Sequence, residues 1–159
     1  MKKALTDSEF SIESKEFSWA ERGLSEAHDY ILPVLSAWLM EAKVKTVLDI
    51  GCGNGSLTNE LAAAGMEMTG MDASESGLII ARNSHPHISF LDAHIESPLP
   101  GHLKSEFDAV VASEVIEHLL LPRALFKRAR EALRPGGVLV MTTPYHGYIK
   151  NLALALTNQ

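Results

Sequence analysis

Three glycines at alternate positions, Gly51, Gly53 and Gly55, follow an apolar segment in the first third of the chain. Glycine allows a sharp backbone turn, and without a Cβ it lets a ligand approach the main chain closely. Asp49 comes just before the turn, where its carboxylate would stand at the carboxyl end of a strand. Open α/β sheets bind their ligands at that end of the strands. The spacing therefore predicts a ligand site built on this turn.

Two more aspartates, Asp72 and Asp92, end the next two apolar segments. Asp72 follows Gly51 by about 20 positions, a spacing that suits a carboxylate on ribose hydroxyls. A dinucleotide would fit that spacing too, but the glycines do not follow the Gly-x-Gly-x-x-Gly pattern of dinucleotide-binding turns. No Lys-Ser or Lys-Thr pair follows the glycines, which excludes a P-loop. One such aspartate alone could equally cap a helix or form a turn. Three at successive strand ends favour a site for a ribose-bearing ligand.

The elements that must position these residues alternate between strand and helix patterns. Strands are predicted at 47–50, 66–71, 88–91, 107–112 and 138–142, and helices at about 25–43, 56–64, from 74, and at 122–133. The alternation, with helix-length crossovers, predicts an α/β fold: a Rossmann-like, doubly wound parallel sheet of about five strands flanked by helices. Pro33 leaves the first helix either kinked or divided in two. Trp38 and Phe126 are predicted to face the core.

The composition limits the classes of protein to consider. With 159 residues, 46% hydrophobic and 21% charged, the chain is predicted to form one globular domain. No apolar run approaches a membrane span, and charges interrupt the first residues before a signal-peptide core, so we expect a cytoplasmic location and no membrane partner. The net charge of −6 disfavours nucleic acid as a partner, and the basic run 127–130 is predicted to be a solvated helix face.

Five motifs follow one another in a fixed order through the predicted sheet. They are the glycine turn at 47–55, the acidic strand ends at 71–74 and 90–93, the fourth-strand segment at 107–119 and the post-helix segment at 133–137. In this order they resemble the class I S-adenosylmethionine-dependent methyltransferases. The closest resemblance is to the small-molecule branch labelled type 11, which includes ubiquinone-pathway O-methyltransferases.

The resemblance implies S-adenosylmethionine as the cofactor and assigns a role to each matching residue. Gly51 and Gly53 would line the methionine half of the cofactor, and Asp49 would help to orient it. Asp72 would accept hydrogen bonds from both ribose hydroxyls, and Asp92 would accept one from the adenine amino group. The other predicted cofactor-binding residues are Cys52, Ala73, Ala93, Ser113 and Glu114.

The segment after the fourth strand carries the candidates for catalysis. A methyltransferase must align the acceptor and, for a hydroxyl, remove a proton. His118, beside Glu117, is the candidate base because an imidazole titrates near neutral pH; alternatively, both residues cap the turn. The segment is also similar to the Glu-x-x-Glu-His pattern of metal-assisted RNA 2′-O-methyltransferases, in which case Glu114 and His118 could share a helical face. The context of His146 does not match the further histidine of those enzymes, so no metal is predicted.

The two ends of the chain lie outside the predicted sheet. Residues 1–24 are expected to form a lead-in or lid, and residues 25–159 the cofactor-binding domain. Trp19, Tyr145 and His146 are predicted to line the substrate pocket.

The resemblance also implies strands that residues 144–159 are too short to supply. Members of the class continue with a sixth and a seventh strand, so we expect a C-terminally incomplete domain with an exposed fifth-strand edge, suited to a homodimer contact. The predicted function is transfer of a methyl group to a small-molecule acceptor, to oxygen before nitrogen or carbon. The alternative is a non-catalytic module that binds S-adenosylmethionine or S-adenosylhomocysteine.

Overall fold

The computed structural model describes residues 26–144, which form one sheet with packed helices. The helices are α1 (Glu26–Glu41), α2 (Ser56–Ala63), α3 (Glu75–Ser84) and α4 (Pro122–Ala132). The strands are β1 (Thr46–Ile50), β2 (Glu67–Asp72), β3 (Ser89–Asp92), β4 (Phe107–Ser113) and β5 (Leu133–Thr142). Short 3₁₀ turns lie at Gly101–Leu103 and Ile116–His118.

All five strands are parallel and lie in the order β3-β2-β1-β4-β5. The chain order changes direction beside β1, so a crevice opens between the carboxyl ends of β1 and β4. The register pairs Ile50 with Met71 and Asp72 with Asp92, which brings the predicted site residues of β1, β2 and β3 to one edge. The predicted Rossmann-like parallel sheet of about five strands is confirmed.

Apolar residues cover both faces of the sheet, and successive residues of β1 alternate between them. Leu48 packs in the cluster that contains Leu125 of α4. Val47 packs in the cluster that contains Leu39 of α1 and Leu61 of α2. A strand buried on both faces needs a continuous apolar run, which is why this segment was recognisable in the sequence.

Two helix boundaries follow from single residues. The Ser74 hydroxyl caps α3 by accepting a hydrogen bond from the Gly77 nitrogen at 3.3 Å. Gly65, with φ of 98°, follows the end of α2 in a backbone conformation that favours glycine. Both boundaries were predicted. Pro33 lies inside α1, which is a single helix, so the alternative of two short helices is wrong.

The predicted burial of two aromatic side chains is wrong. Trp38 is 56% exposed and Phe126 is 47% exposed. In each helix the buried stripe is narrower than the apolar pattern suggested. Leu35 and Leu39 form it in α1, and Leu125 begins it in α4, so the aromatic residues lie to one side of the stripe.

The predicted solvated face of residues 127–130 is also partly wrong, because Arg128 is 2% exposed. Its Nε atom donates to the Ile95 carbonyl oxygen at 3.0 Å, and its guanidinium forms an ion pair with Glu131. The segment after β3 covers this side of α4 and leaves only the neighbouring basic residues in solvent.

Strand β5 begins five residues before the predicted position, because a bulge replaces the predicted break. Phe107 pairs with Leu133 and Ala109 with Val138, so residues 134–137 bulge out of the ladder. Gly136, with φ of 84°, allows the bulge. At the edge of the described sheet, Val138 and Met141 of β5 are 38% and 36% exposed.

The helices between residues 26 and 144 are all too short or too polar to cross a bilayer.

Candidate functional site

The glycine turn after β1 is held between β2 and the segment that follows β4. The backbone nitrogens of Gly51 and Cys52 both donate to the Met71 carbonyl oxygen, at 2.7 Å and 3.2 Å. Gly51 has φ of 79°, and a Cβ on it would come within 2.4 Å of Val115 Cγ2. Neither the backbone conformation nor the space accepts a side chain, so the turn requires glycine.

Asp72 joins the ends of the neighbouring strands. Its Oδ2 accepts from the Gly53 nitrogen at 2.7 Å, and its Oδ1 accepts from the Ser74 nitrogen at 2.7 Å. The Ala93 nitrogen donates to the Asp72 carbonyl oxygen at 3.0 Å. A carboxylate has about four acceptor positions, so Asp72 can hold this turn and still accept two hydroxyls from a ligand.

The remaining acidic and small residues of this edge are open to a ligand. Asp92 is exposed, and Asp72, Ala73 and Ala93 are half-buried. Because Asp72 and Asp92 are paired residues of adjacent strands, their side chains leave the sheet side by side. This arrangement fits a ligand that presents hydroxyls to one carboxylate and an amino group to the next.

Asp49 lies beneath the turn and is only 1% exposed. Its Oδ2 accepts a hydrogen bond from Thr58 Oγ1 at 2.7 Å. Burial raises the pKa of Asp49 to about 6; the Thr58 hydroxyl lowers the pKa, and the charge of Asp72 raises it further. The sequence did not single out Thr58, a buried polar residue in the first turn of α2.

The Cys52 side chain also faces inward. A Cβ on Gly70 would lie 2.8 Å from Cys52 Sγ, which places the thiol against β2. Burial, followed by the nearby charges of Asp49 and Asp72, raises the pKa of the Cys52 thiol well above its ordinary value. The thiol is therefore protonated and unreactive at neutral pH.

The ring of Phe90 packs beneath the glycine turn. A Cβ on Gly70 would lie 2.5 Å from Phe90 Cδ1, and one on Gly55 would lie 2.8 Å from Phe90 Cζ. The ring thus supports the turn from β3, a contact that the sequence did not reveal because it joins separate elements.

The ends of β4 and β5 are joined by side-chain hydrogen bonds. Thr142 Oγ1 lies 2.9 Å from Ser113 Oγ and donates to Glu114 Oε1 at 2.9 Å. Both predicted residues, Ser113 and Glu114, are half-buried at the edge that carries the glycine turn. Thr142 was not a predicted site residue.

The candidate catalytic residues Glu117 and His118 lie in the short 3₁₀ turn Ile116–His118, and both are exposed. Glu114 stands at the end of β4 with φ of 57°, outside any helix. The helical face that Glu114 and His118 could have shared is therefore not formed. Between residues 26 and 144, no group of three or more His, Cys, Asp or Glu side chains is placed to hold a metal ion.

The predicted substrate-pocket residues Trp19, Tyr145 and His146 lie outside the described residues. The pocket therefore stays a prediction, as do the roles given to the cofactor-binding residues and to Glu117 and His118. The boundary between residues 1–24 and 25–159 also stays a prediction.

One buried carboxylate in the fourth-strand motif lies away from this edge. Asp108 Oδ2 accepts from the backbone nitrogens of Lys45 and Thr46, at 2.8 Å and 3.1 Å, and its carboxylate pairs with Arg134. These contacts lie at the beginning of β1 and β4, so Asp108 stabilises the sheet at the edge opposite the candidate site.

The fold and the site together define a class of protein. A parallel sheet with a glycine turn after β1, and carboxylates at the ends of β1, β2 and β3, forms a binding domain for a nucleoside-containing ligand. Comparison with known proteins identifies the family. Residues 19–157 match the model of a family described as a methyltransferase domain, so the chain belongs to that family.

Individual relatives agree with this assignment. The chain is 32% identical to a ubiquinone biosynthesis O-methyltransferase from Hydrogenovibrio crunogenus, over 87% of this chain and 59% of the relative. It is 37% identical to the protein of that name from Idiomarina loihiensis, over 62% of this chain and 42% of the relative. A solved S-adenosylmethionine-dependent methyltransferase from Mesorhizobium loti shares 30% identity with a TM-score of 0.60, over 71% of this chain and 52% of that chain.

These comparisons confirm the predicted class, the S-adenosylmethionine-dependent methyltransferases, whose cofactor gives the class its name. The chain spans about half the length of the curated relatives it matches.

Proposed function

We propose that this protein transfers a methyl group from S-adenosylmethionine to an oxygen atom of a small-molecule acceptor. The observation that carries the proposal is the pairing of Asp72 with Asp92 beside the glycine turn. It supports binding of an adenosine, with Asp72 on the ribose hydroxyls and Asp92 on the adenine amino group. The relatives named as O-methyltransferases support oxygen as the acceptor atom.

The bound cofactor would supply an activated methyl group on a positively charged sulfur, so the chain itself needs only to bind, orient and deprotonate. Gly51 allows the positive-φ backbone of the turn, and Asp49, beneath the turn, accepts a hydrogen bond from the Thr58 hydroxyl. We place the adenosine at the ends of β2 and β3 and the reacting end in the crevice beside β4, and the change of direction of the strand order at β1 supports this placement.

His118 is our candidate for the base that removes the proton of an acceptor hydroxyl. It is exposed in the turn after β4, on the side of the crevice where the reacting end is assigned. A base must lie within hydrogen-bond reach of the hydroxyl, directly or through one water molecule. His118→Gln is expected to lower kcat by roughly 100-fold or more with little change in cofactor affinity.

Titration calorimetry tests the cofactor. S-Adenosylhomocysteine is expected to bind and NAD is not, because the glycine spacing does not form a dinucleotide turn. Binding of NAD alone would reject the proposal.

A methyl-transfer assay then distinguishes an enzyme from a non-catalytic binding module. It follows a tritiated methyl group from S-adenosylmethionine to catechol, a simple aromatic diol. Radioactivity in the organic product supports the enzyme. Binding without transfer to catechol or to nitrogen- and carbon-acceptor probes would favour the module.

A homodimer through the β5 edge and a cytoplasmic location complete the proposal. The partly exposed Val138 and Met141 at the edge of the described sheet support the dimer contact. Sedimentation at increasing concentration measures it, and a monomer at all concentrations would reject it.

A further inference from the structure

Glu114 has an unusual backbone conformation at the end of β4. Its φ of 57° lies in the left-handed region, which non-glycine residues rarely occupy. Such a conformation costs free energy and persists only where neighbouring contacts enforce it, as at many functional sites. The contacts of Glu114 therefore indicate what its conformation is used for.

Those contacts come from one residue, Thr142. The Glu114 nitrogen donates to the Thr142 carbonyl oxygen at 3.1 Å and lies 3.2 Å from Thr142 Oγ1. The Thr142 hydroxyl in turn donates to Glu114 Oε1 at 2.9 Å. Thr142 thus fixes both the strained backbone of Glu114 and the direction of its carboxylate.

The hydrogen-bond directions in this group follow from counting protons. The Thr142 hydroxyl has one proton, and an ionised carboxylate can only accept, so that proton points to Glu114. The Ser113 hydroxyl, 2.9 Å from Thr142 Oγ1, must then donate to Thr142. Replacing the Thr142 hydroxyl therefore frees both neighbouring side chains at once.

The group stands next to the glycine turn. Val115, the residue after Glu114, is the one whose Cγ2 would lie 2.4 Å from a Cβ on Gly51. Glu114 is therefore one residue from the contact with the turn, and it is half-buried on the β4 side of the crevice. In the proposed function this side receives the sulfur end of the cofactor.

We propose that Thr142 is a positioning residue that aims the Glu114 carboxylate so that the site binds the positively charged methyl donor in preference to the neutral thioether product. This inference rests on the proposed function. A fixed negative charge stabilises a sulfonium and does nothing for a thioether, so it favours exchange of product for donor after each transfer. Asp49 and Asp72 also contribute negative charge here, so Glu114 accounts for part of the preference.

The preference is measured as a ratio of dissociation constants at pH 7.5 by titration calorimetry. The probes are S-adenosylhomocysteine, which is neutral at sulfur, and sinefungin, which carries an ammonium group in place of the sulfonium. Glu114→Gln is expected to lower the preference for sinefungin roughly three- to tenfold, as for one partly solvated charge pair. Thr142→Val, which keeps the side-chain shape, is expected to lower it by a similar factor.

Two matched variants separate positioning from a general structural effect. Thr142→Ser retains the hydroxyl and is expected to restore the preference of the unmodified protein. Thr143→Val makes the same change at the next residue, which is exposed, and is expected to leave the ratio unchanged. A loss of packing alone would weaken both probes equally and would leave their ratio intact.

The outcomes distinguish this inference from the function on which it rests. An unmodified protein that binds neither probe rejects the proposed function. Binding of both probes with an unchanged ratio in Thr142→Val rejects the positioning role. If thermal unfolding shows that Thr142→Val does not fold, Glu114→Gln is the variant that tests the inference. An unchanged ratio of dissociation constants in Glu114→Gln also rejects the inference.

Discussion

The Asp72 carboxylate accepts a hydrogen bond from the Gly53 backbone nitrogen at 2.7 Å, which joins the end of β2 to the glycine turn after β1. The same carboxylate is the proposed ligand of the ribose hydroxyls. In the proposed function, the shape of the turn and the affinity for an adenosine both depend on this side chain, and a change at Asp72 is expected to affect both.

Asp72→Asn is expected to weaken S-adenosylhomocysteine binding by about 1–3 kcal/mol, or roughly 5- to 150-fold. The asparagine side chain has an amide nitrogen in place of one carboxylate oxygen. That nitrogen cannot accept a hydrogen bond, either from the Gly53 nitrogen or from a ribose hydroxyl. Titration calorimetry measures the effect, with Glu75→Gln, an exposed carboxylate of α3, as the matched control. Equal affinities in the two variants would show that Asp72 does not hold the ribose.

The parts of this site that the sequence predicted are those determined by one short segment. A glycine turn after an apolar strand, and an aspartate at a strand end, are local patterns whose meaning does not depend on distant residues. The parallel sheet then places Asp72 and Asp92 side by side without further information.

Two of the missed contacts join distant segments. Thr142 holds Glu114 across 28 positions, and Arg128 holds Ile95 across 33 positions. Neither residue type is unusual where it stands: threonine is common in strands, and an arginine in a basic helical run normally faces solvent. Only the packing of β5 on β4, and of the segment after β3 on α4, gives these residues their roles.

The dependence on distant segments also explains why the predicted burial of Trp38 and Phe126 was wrong. Helices and strands were predicted because their apolar patterns are local, whereas the width of a buried stripe depends on what packs against it. Trp38 and Phe126 have suitable spacing for the core, but the packing within residues 26–144 leaves both side chains exposed.

Gly70→Ala is expected to destabilise the fold by about 1–3 kcal/mol, because the new methyl group would meet the Phe90 ring at 2.5 Å and Cys52 Sγ at 2.8 Å. Thermal unfolding measures the change, a decrease of about 2–4 °C in Tm for each kcal/mol. Gly101→Ala is the control, since a Cβ there meets nothing within 4 Å. The added variant Phe90→Leu should recover part of the loss; equal Tm values for both alanine variants would contradict this packing.

Arg128→Met is expected to lower the free energy of unfolding by about 1–3 kcal/mol, because the Ile95 carbonyl and Glu131 carboxylate lose a buried partner. Methionine keeps much of the apolar stem, so the loss reports mainly on the guanidinium. Urea denaturation measures it. Lys127→Met, the same change at the adjacent exposed residue, should stay within about 0.5 kcal/mol of the unmodified protein. Similar losses in both variants would mean that Arg128 is not buried.

Asp49→Asn is expected to stabilise the protein increasingly as the pH rises. The pKa of Asp49 is raised from 3.8 to about 6 in the folded state, chiefly by burial. Between these values the folded state binds more protons than the unfolded state, so the free energy of unfolding falls with rising pH. Stability from the protonated carboxyl is complete below pH 3.8 and is lost as the pH passes about 6. The free energy of unfolding lost through the titration of Asp49 is about 3 kcal/mol in total.

Urea denaturation at several pH values between 4 and 7 measures this effect as the difference between the variant and the unmodified protein. The difference cancels the titration of the other carboxylates, many of which act in the opposite direction. Asp29→Asn, which removes a negative charge from an exposed position on α1, controls for the change in net charge. A difference for Asp49→Asn that stays constant across the range would show that Asp49 is already ionised at pH 4, and that the Thr58 hydroxyl outweighs burial.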